Sequence, residues 1–252
     1  MSPALAAEGL KVTVVTPAYG FLHIDHPLKK SYAVEFPFCG RVERAEIHEL
    51  KPDRAERNVT HVVVENIWIR GNPIYFHDDA SRPFAADASK FALFCSAVGQ
   101  AVAGGIGPFK GVDILHAHDW HAGTLLFLRE LHPAFAKLKK HRAVLTIHNI
   151  GIQGTRPIEG HESSLGAWFP ELLTDPATRS EIAARFADRR FGWPCYTPLA
   201  AAIQTADMVN TVSPTYAEEI VFPSDHGAGF WGAEGLSGLS APRATKAGSW
   251  AC

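Results

Sequence analysis

The 252-residue chain has few cysteines, no long apolar run and no excess of basic residues. Its uninterrupted apolar runs, such as residues 125–128, are far shorter than the roughly 20 residues of a membrane-spanning helix. Lys and Arg number 24 against 26 Asp and Glu, giving a net charge of -2, so no positive field exists to gather nucleic acid or anionic lipid. We therefore expect neither a membrane nor a nucleic acid as a partner.

The four cysteines lie far apart and form no C-x-x-C pair, which argues against a zinc knuckle or a disulfide scaffold. The N-terminus carries Glu8 and no basic residue before Lys11, unlike a secretion signal. These features predict a cytoplasmic protein with reduced thiols and leave its oligomeric state open. With 46% hydrophobic and 20% charged residues, the composition is that of a globular protein with a real core.

Strand-like and helix-like segments alternate along the chain. Strands are predicted for the β-branched or apolar runs 11–16, 60–65, 112–116, 143–147 and 206–212. Helices are predicted where apolar residues recur every three or four positions, in 89–102, 121–131 and 178–191. Thr215 and Glu218 fit a capping box, which predicts a further helix start.

This alternation predicts an α/β fold with a mostly parallel sheet flanked by helices, which is a Rossmann-like architecture. We expect residues 1–224 to form one such domain. Residues 225–252 are rich in glycine, alanine and serine and show no periodic apolar face, so we expect an irregular tail there.

Two polar loops follow consecutive predicted strands. H-A-H-D-W-H-A-G occupies residues 116–123, and T-I-H-N-I-G-I-Q-G occupies residues 146–154. Because ligands of such sheets bind beyond the carboxyl ends of the strands, we expect His148 and Asn149 to open on the same edge as Asp119. Neutral hydrogen-bonding groups together with the Trp120 indole suit a sugar, whose apolar face stacks on an aromatic ring.

Two other interpretations of the first loop remain open. Binuclear zinc hydrolases gather ligands with an H-x-H-x-D-H string, but here Asp119 stands one place earlier and Trp120 occupies the aspartate position. Alternatively, Asp119 caps the following helix and the histidines bond to nearby backbone groups.

The motifs of these loops are similar to those of a known family. Three motifs occur in order along the chain: H-A-H-D-W-H-A-G, then T-I-H-N with Q-G shortly after, then A-D-M-V-N-T-V-S-P-T-Y-A-E-E-I. Together they resemble the motifs of the bacterial glycogen synthases and plant starch synthases, glycosyltransferase family five. K-V-T-V-V-T-P-A-Y-G and residues 90–94 are also similar, so the resemblance covers residues 10–235. It implies the N-terminal, acceptor-side half of a GT-B enzyme that moves glucose from ADP-glucose to the non-reducing end of an α-1,4-glucan, with retention and without a metal or other cofactor.

The resemblance also implies roles for individual residues. His148 is expected to be catalytic and to contact the donor glucose, and Asp119 is the second catalytic candidate. Ser213, Pro214, Thr215 and Tyr216 also match the family and are assigned to helix capping. The expected substrate-binding residues are Asn149, Trp120, His121, Tyr75 and Gln153.

The chain departs from the family pattern in two respects. The K-x-G-G-L string, whose lysine and backbone amides hold the nucleotide diphosphate, does not occur. The second, nucleotide-sugar domain has no counterpart after Gly235, and residues 238–252 do not follow the family pattern. We therefore expect a fragment with little or no activity alone, arising from truncation or a shifted reading frame. A non-catalytic glucan-binding module is the alternative, and a metal-dependent hydrolase using the HAHDWH loop is a more remote one.

Overall fold

The computed structural model describes residues 1–52, 56–70, 74 and 85–240. Two compact units divide the chain, residues 1–112 and residues 113 onward. The first unit carries one sheet and the second carries two.

The first unit is built on a four-stranded mixed sheet with the order β1-β4-β3-β2. Its strands are Val12–Pro17 (β1), Leu28–Phe38 (β2), Arg41–Leu50 (β3) and Val59–Glu65 (β4). β1 and β4 pair in parallel, whereas β3 runs antiparallel to both of its neighbours. The helices are Ser2–Ala7 (α1), Leu22–Asp25 (α2) and Ala85–Ala103 (α3), followed by a 3-10 turn at Gly107–Phe109.

The structure confirms the strands predicted at 11–16 and 60–65 and the helix predicted at 89–102. That helix differs from the amphipathic one expected, because positions 87–99 are all buried. The β2–β3 hairpin was not predicted. Its two-residue turn, Cys39-Gly40, has positive φ at both positions, as a type I′ turn requires, but Cys-Gly is not among the dipeptides that signal such turns.

The second unit contains a three-stranded parallel sheet with the order β10-β6-β5. Its strands are Ile114–His118 (β5), Arg142–Ile147 (β6) and Met208–Thr211 (β10). A small antiparallel sheet has the order β7-β9-β8, formed by Arg156–Pro157 (β7), Ala187–Asp188 (β8) and Cys195–Tyr196 (β9). The helices are Gly123–Leu131 (α4), Leu165–Trp168 (α5), Pro170–Thr174 (α6), Pro176–Glu181 (α7), Pro198–Thr205 (α8), Pro214–Glu219 (α9) and Ser237–Ser240 (α10).

Three predictions for this unit need correction. β5 ends at His118, two residues beyond the predicted strand end at His116, so His118 lies on the strand and not in the loop. The helix predicted at 178–191 stops earlier, since α7 passes into a π turn at Ile182–Phe186 and then into β8. The N-cap of α9 is Ser213, whose hydroxyl accepts a hydrogen bond from the Tyr216 amide at 3.1 Å, and not Thr215.

Part of the predicted irregular tail is described by the structure. Asp225 and Phe230 form an isolated β-bridge around a 3-10 turn, and Ala233 and Leu236 are buried. Residues 241–252 lie outside the described residues. Within the described part of the chain, no helix is both long enough and apolar enough to cross a bilayer.

Candidate functional site

Three loops meet at one edge of the parallel sheet in the second unit. Because β5, β6 and β10 run in the same direction, the residues that follow them emerge at the same edge. Asp119 comes directly after β5, and His148 directly after β6. The two loops therefore lie side by side, as the positions of the motifs predicted.

Asp119 holds the loop after β6 through its carboxylate. Its Oδ1 accepts hydrogen bonds from the backbone amides of His148 at 2.7 Å and Asn149 at 3.2 Å. The side chain makes no capping hydrogen bond to the 3-10 turn that follows it, so the interpretation of Asp119 as a helix cap is wrong. Its backbone has φ 52° and ψ -166°, a conformation that costs a non-glycine residue about 1–3 kcal/mol.

Three imidazoles connect the strands beneath this loop. His116 and His118 stack with their ring centroids 4.5 Å apart, and His118 Nδ1 lies 3.0 Å from Nε2 of His148. His116 Nε2 lies 2.7 Å from the hydroxyl of Thr146, which itself donates to Oδ1 of Asn210 at 2.5 Å. Because the Thr146 hydroxyl donates its only proton to Asn210, its oxygen can only accept from His116. His116 therefore carries a proton on Nε2 and donates it to Thr146.

The electrostatics of the cluster favour neutral imidazoles at His116 and His118. Burial lowers the pKa of His116, and the positive charge that His148 would carry lowers it further. Burial also lowers the pKa of His118, to about 4, with His116 and His148 as additional causes. His118 is therefore neutral at neutral pH, and the exposed imidazole of His148 is held by an uncharged partner.

We expect the depressed pKa of His118 to make stability depend on pH. In the unfolded chain the imidazole binds a proton below its ordinary pKa of 6.5, whereas in the folded chain it stays neutral down to about 4. The unfolded state thus binds more protons in this window, and the free energy of unfolding falls as the pH decreases through it. After allowance for solvent screening, the loss is about 1–2 kcal/mol.

Urea unfolding at several pH values between 4 and about 7 checks this expectation, with His118→Asn as the matched variant. The Asp and Glu side chains titrate in both proteins. The difference between their two curves of unfolding free energy against pH therefore reports the titration of His118. The His118→Asn curve should be flatter, and parallel curves would contradict the expectation.

A cavity of about 500 Å³ opens beside His148. Its lining combines polar loop residues with two aromatic side chains. The lining residues are His148, Asn149, Ile150, Gly151, Val212, Ser213, Tyr216, Trp231, Gly232 and Glu234. The Tyr216 hydroxyl accepts a hydrogen bond from the Ile150 amide at 2.9 Å, and burial raises its pKa, so it stays protonated at neutral pH.

Gln153 ties the loop after β6 to distant parts of the unit. Its amide nitrogen donates to the carbonyls of Ile150 and Glu234, both at 3.0 Å, and its Oε1 accepts from Arg190 at 2.6 Å. In this geometry Gln153 organises the backbone next to the cavity. The substrate contact expected for it stays a prediction.

The structure gives Trp120 a different environment from the one expected. Its indole is 2% exposed, and a Cβ on Gly154, which has φ 71°, would overlap it. A buried ring offers no free face, so the predicted stacking of Trp120 on a sugar is contradicted. His121 is half-buried with its ring centroid 4.3 Å from that of Trp120, and Tyr75 lies outside the described residues.

Among the described residues, no group of three or more His, Cys, Asp or Glu side chains is arranged to hold a metal ion. The imidazole nitrogens of His116 and His118 instead contact Thr146 and His148. These side chains do not form the convergent ligand set that the zinc hydrolase interpretation needs.

Trp231 and Glu234 are cavity residues that the sequence analysis missed. Both lie in the segment assigned to an irregular tail. The signal that was available is a pair of adjacent aromatic residues, Phe230 and Trp231, followed closely by a carboxylate within a glycine-rich stretch.

The fold and the polar carboxyl edge define a Rossmann-like α/β protein of the GT-B glycosyltransferase class. Among solved structures, the catalytic domain of starch synthase IV from Arabidopsis thaliana, described as bound to ADP and acarbose, matches with a TM-score of 0.68 and 24% sequence identity. The match covers 94% of this chain and 43% of that one.

The chain belongs to the family of starch synthase catalytic domains, whose family model matches residues 1–239. It is 32% identical to a glycogen synthase of Methylocella silvestris over 96% of this chain, and 31% identical to one of Exiguobacterium sibiricum over 87%. The matched regions cover 44% and 41% of those two relatives, so the chain spans less than half of their length.

Proposed function

We propose that this chain supplies the acceptor-side part of a retaining glucosyltransferase that moves glucose from ADP-glucose to the non-reducing end of an α-1,4-glucan. One observation carries the proposal: the Asp119 carboxylate holds the His148 and Asn149 amides beside a 500 Å³ cavity at the carboxyl edge of the sheet. The names of the relatives and the ADP and acarbose of the solved structure support it.

The proposed reaction exchanges one bond at the anomeric carbon. The bond from C1 of glucose to the diphosphate oxygen breaks with its electron pair leaving on ADP, and the 4-hydroxyl oxygen of the glucan bonds to C1. The hydroxyl proton leaves with ADP. In this reaction His148 holds the donor glucose by hydrogen bonding, and Asp119 sets the position of the loop that carries His148.

The charge of the cavity limits what the chain does by itself. Its lining residues, all of them described, include no Lys or Arg that would neutralise a departing diphosphate. Removing one preorganised donor aimed at developing negative charge raises a reaction barrier by about 3–4 kcal/mol. We therefore expect the chain alone to bind glucan with little transfer, and to need cations from elsewhere for turnover.

The test compares the 252-residue chain with a fusion. In the fusion, residues 1–239 replace the matched segment of the Methylocella silvestris glycogen synthase. We expect the fusion to incorporate labelled glucose from ADP-glucose into glycogen, and the chain alone to bind glycogen in affinity electrophoresis. His148→Ala in the fusion should reduce turnover by about 100-fold while leaving glycogen binding within about twofold.

The absence of incorporation by a folded fusion that still binds glycogen would contradict the proposal. That result would favour the second candidate, a non-catalytic glucan-binding module. The observation that supports this candidate is the same lack of Lys and Arg in the cavity lining, since an uncharged glucan needs no cation. The ADP-glucose preference is tested in the same assay with UDP-glucose as the competing donor.

A further inference from the structure

An exposed indole stands at the cavity that contains His148. Trp231 lines this cavity, and 68% of its surface is exposed. Tryptophan is costly to leave in water, and an indole at a cavity rim presents a flat apolar face next to polar groups. A pyranose ring matches that surface, because its axial C–H groups form an apolar face and its hydroxyls lie at its edge.

The surroundings of Trp231 hold its indole in place. The His226 ring packs against it with centroids 4.7 Å apart and a tilt of 35°. His226 Nε2 lies 2.8 Å from a carboxylate oxygen of Glu234, which also accepts a hydrogen bond from the Ser224 hydroxyl at 2.6 Å. A pre-positioned ring loses little conformational entropy when a ligand stacks on it.

The charge of the lining discriminates between the two substrates. Hydrogen bonds from His226 and Ser224 lower the pKa of Glu234, so its carboxylate is ionised at neutral pH. Arg190 lowers this pKa further, but its guanidinium is paired with Asp188 and does not line the cavity, whose lining residues include no Lys or Arg. A diphosphate would be repelled there, whereas an uncharged glucan can use the carboxylate as a hydrogen-bond acceptor.

We propose that Trp231 stacks on a glucose ring of the α-1,4-glucan acceptor and so takes the role that the sequence had suggested for Trp120. The inference deepens the proposed function and rests on it. Trp231 is thereby a specificity-determining residue for the acceptor, and Glu234 receives a hydroxyl of the same sugar.

Calorimetric titration of the full chain with maltoheptaose tests the proposal. Trp231→Ala should weaken binding about tenfold or more, and Trp231→Phe, which keeps an aromatic face, should weaken it only about threefold. Trp193→Ala is the matched control, because Trp193 is 61% exposed but does not line this cavity. It should bind as the unsubstituted chain does, and urea midpoints should show that all three variants are folded.

In the fusion described above, Trp231→Ala should raise KM for glycogen about tenfold while changing KM for ADP-glucose less than twofold. Equal losses in the Trp231→Ala and Trp193→Ala chains, or a rise confined to KM for ADP-glucose, would overturn the proposal. Unchanged binding by Trp231→Ala, with normal binding by the unsubstituted chain, would also overturn it and leave the proposed function standing. A folded unsubstituted chain that binds no maltoheptaose would overturn both.

Discussion

Replacing Trp120 by alanine should lower the free energy of unfolding by about 3–5 kcal/mol. The indole is 2% exposed and packs against the Gly154 turn, so truncation leaves a large cavity in the second unit. Urea unfolding followed by far-UV circular dichroism measures the loss. Trp120→Phe fills part of the space and should lose about half as much free energy of unfolding. It therefore remains a usable folded variant if Trp120→Ala does not fold.

The matched control for this prediction is Trp193→Ala. Trp193 is largely exposed, and its replacement should change the free energy of unfolding by no more than about 0.5 kcal/mol. If Trp120→Ala were as stable as Trp193→Ala and lost only glucan affinity, the indole would have the binding role that its burial argues against.

Replacing Asp119 by alanine should lower the turnover of the fusion by about 100-fold. The carboxylate is the acceptor for the His148 and Asn149 amides, and its loss frees the loop that carries His148. Misplacement of a reacting group by about 1 Å has an effect of this size. The same substitution should speed hydrogen exchange of both amides about tenfold, a readout that needs no catalytic activity.

Two further substitutions separate the carboxylate from the backbone it stands on. Asp119→Gly removes the acceptor and at the same time relieves the strain of φ 52° at this position. If the carboxylate is what matters, this variant should be as impaired as Asp119→Ala. Asp119→Asn retains an oxygen acceptor without the charge, so its turnover should fall between that of the unsubstituted fusion and that of the Asp119→Ala fusion. A fully active Asp119→Gly fusion would show that the hydrogen bonds to the loop are dispensable.

Much of the second unit could be predicted from its residues. β5 and β6 begin as β-branched or apolar runs, and their parallel pairing follows from helix α4 between them. From that pairing alone, the loops of Asp119 and His148 had to share an edge. The β2–β3 hairpin escaped prediction because its polar, alternating residues resemble surface loops and its Cys39-Gly40 turn lacks a recognisable signal.

The candidate site was predicted less completely than the sheet. The motifs pointed to His148 and Asp119, but they could not show that Asp119 acts on backbone amides, because that depends on where the next loop turns. They also assigned sugar stacking to Trp120 and overlooked Trp231. Both indoles stand near polar, glycine-containing segments in the sequence, and their exposure differs from 2% to 68% in the fold.

The order of residues by itself determined the α/β architecture, the edge on which the polar loops open and the family to which the chain belongs. These properties depend on local periodicity and on motifs read within a few residues of each other. Tertiary structure alone decided which indole is buried, which carboxylate holds a loop and which groups share the cavity. Such properties arise from contacts between residues far apart in the chain, such as Trp120 with Gly154, and burial is a property of those contacts and not of residue type.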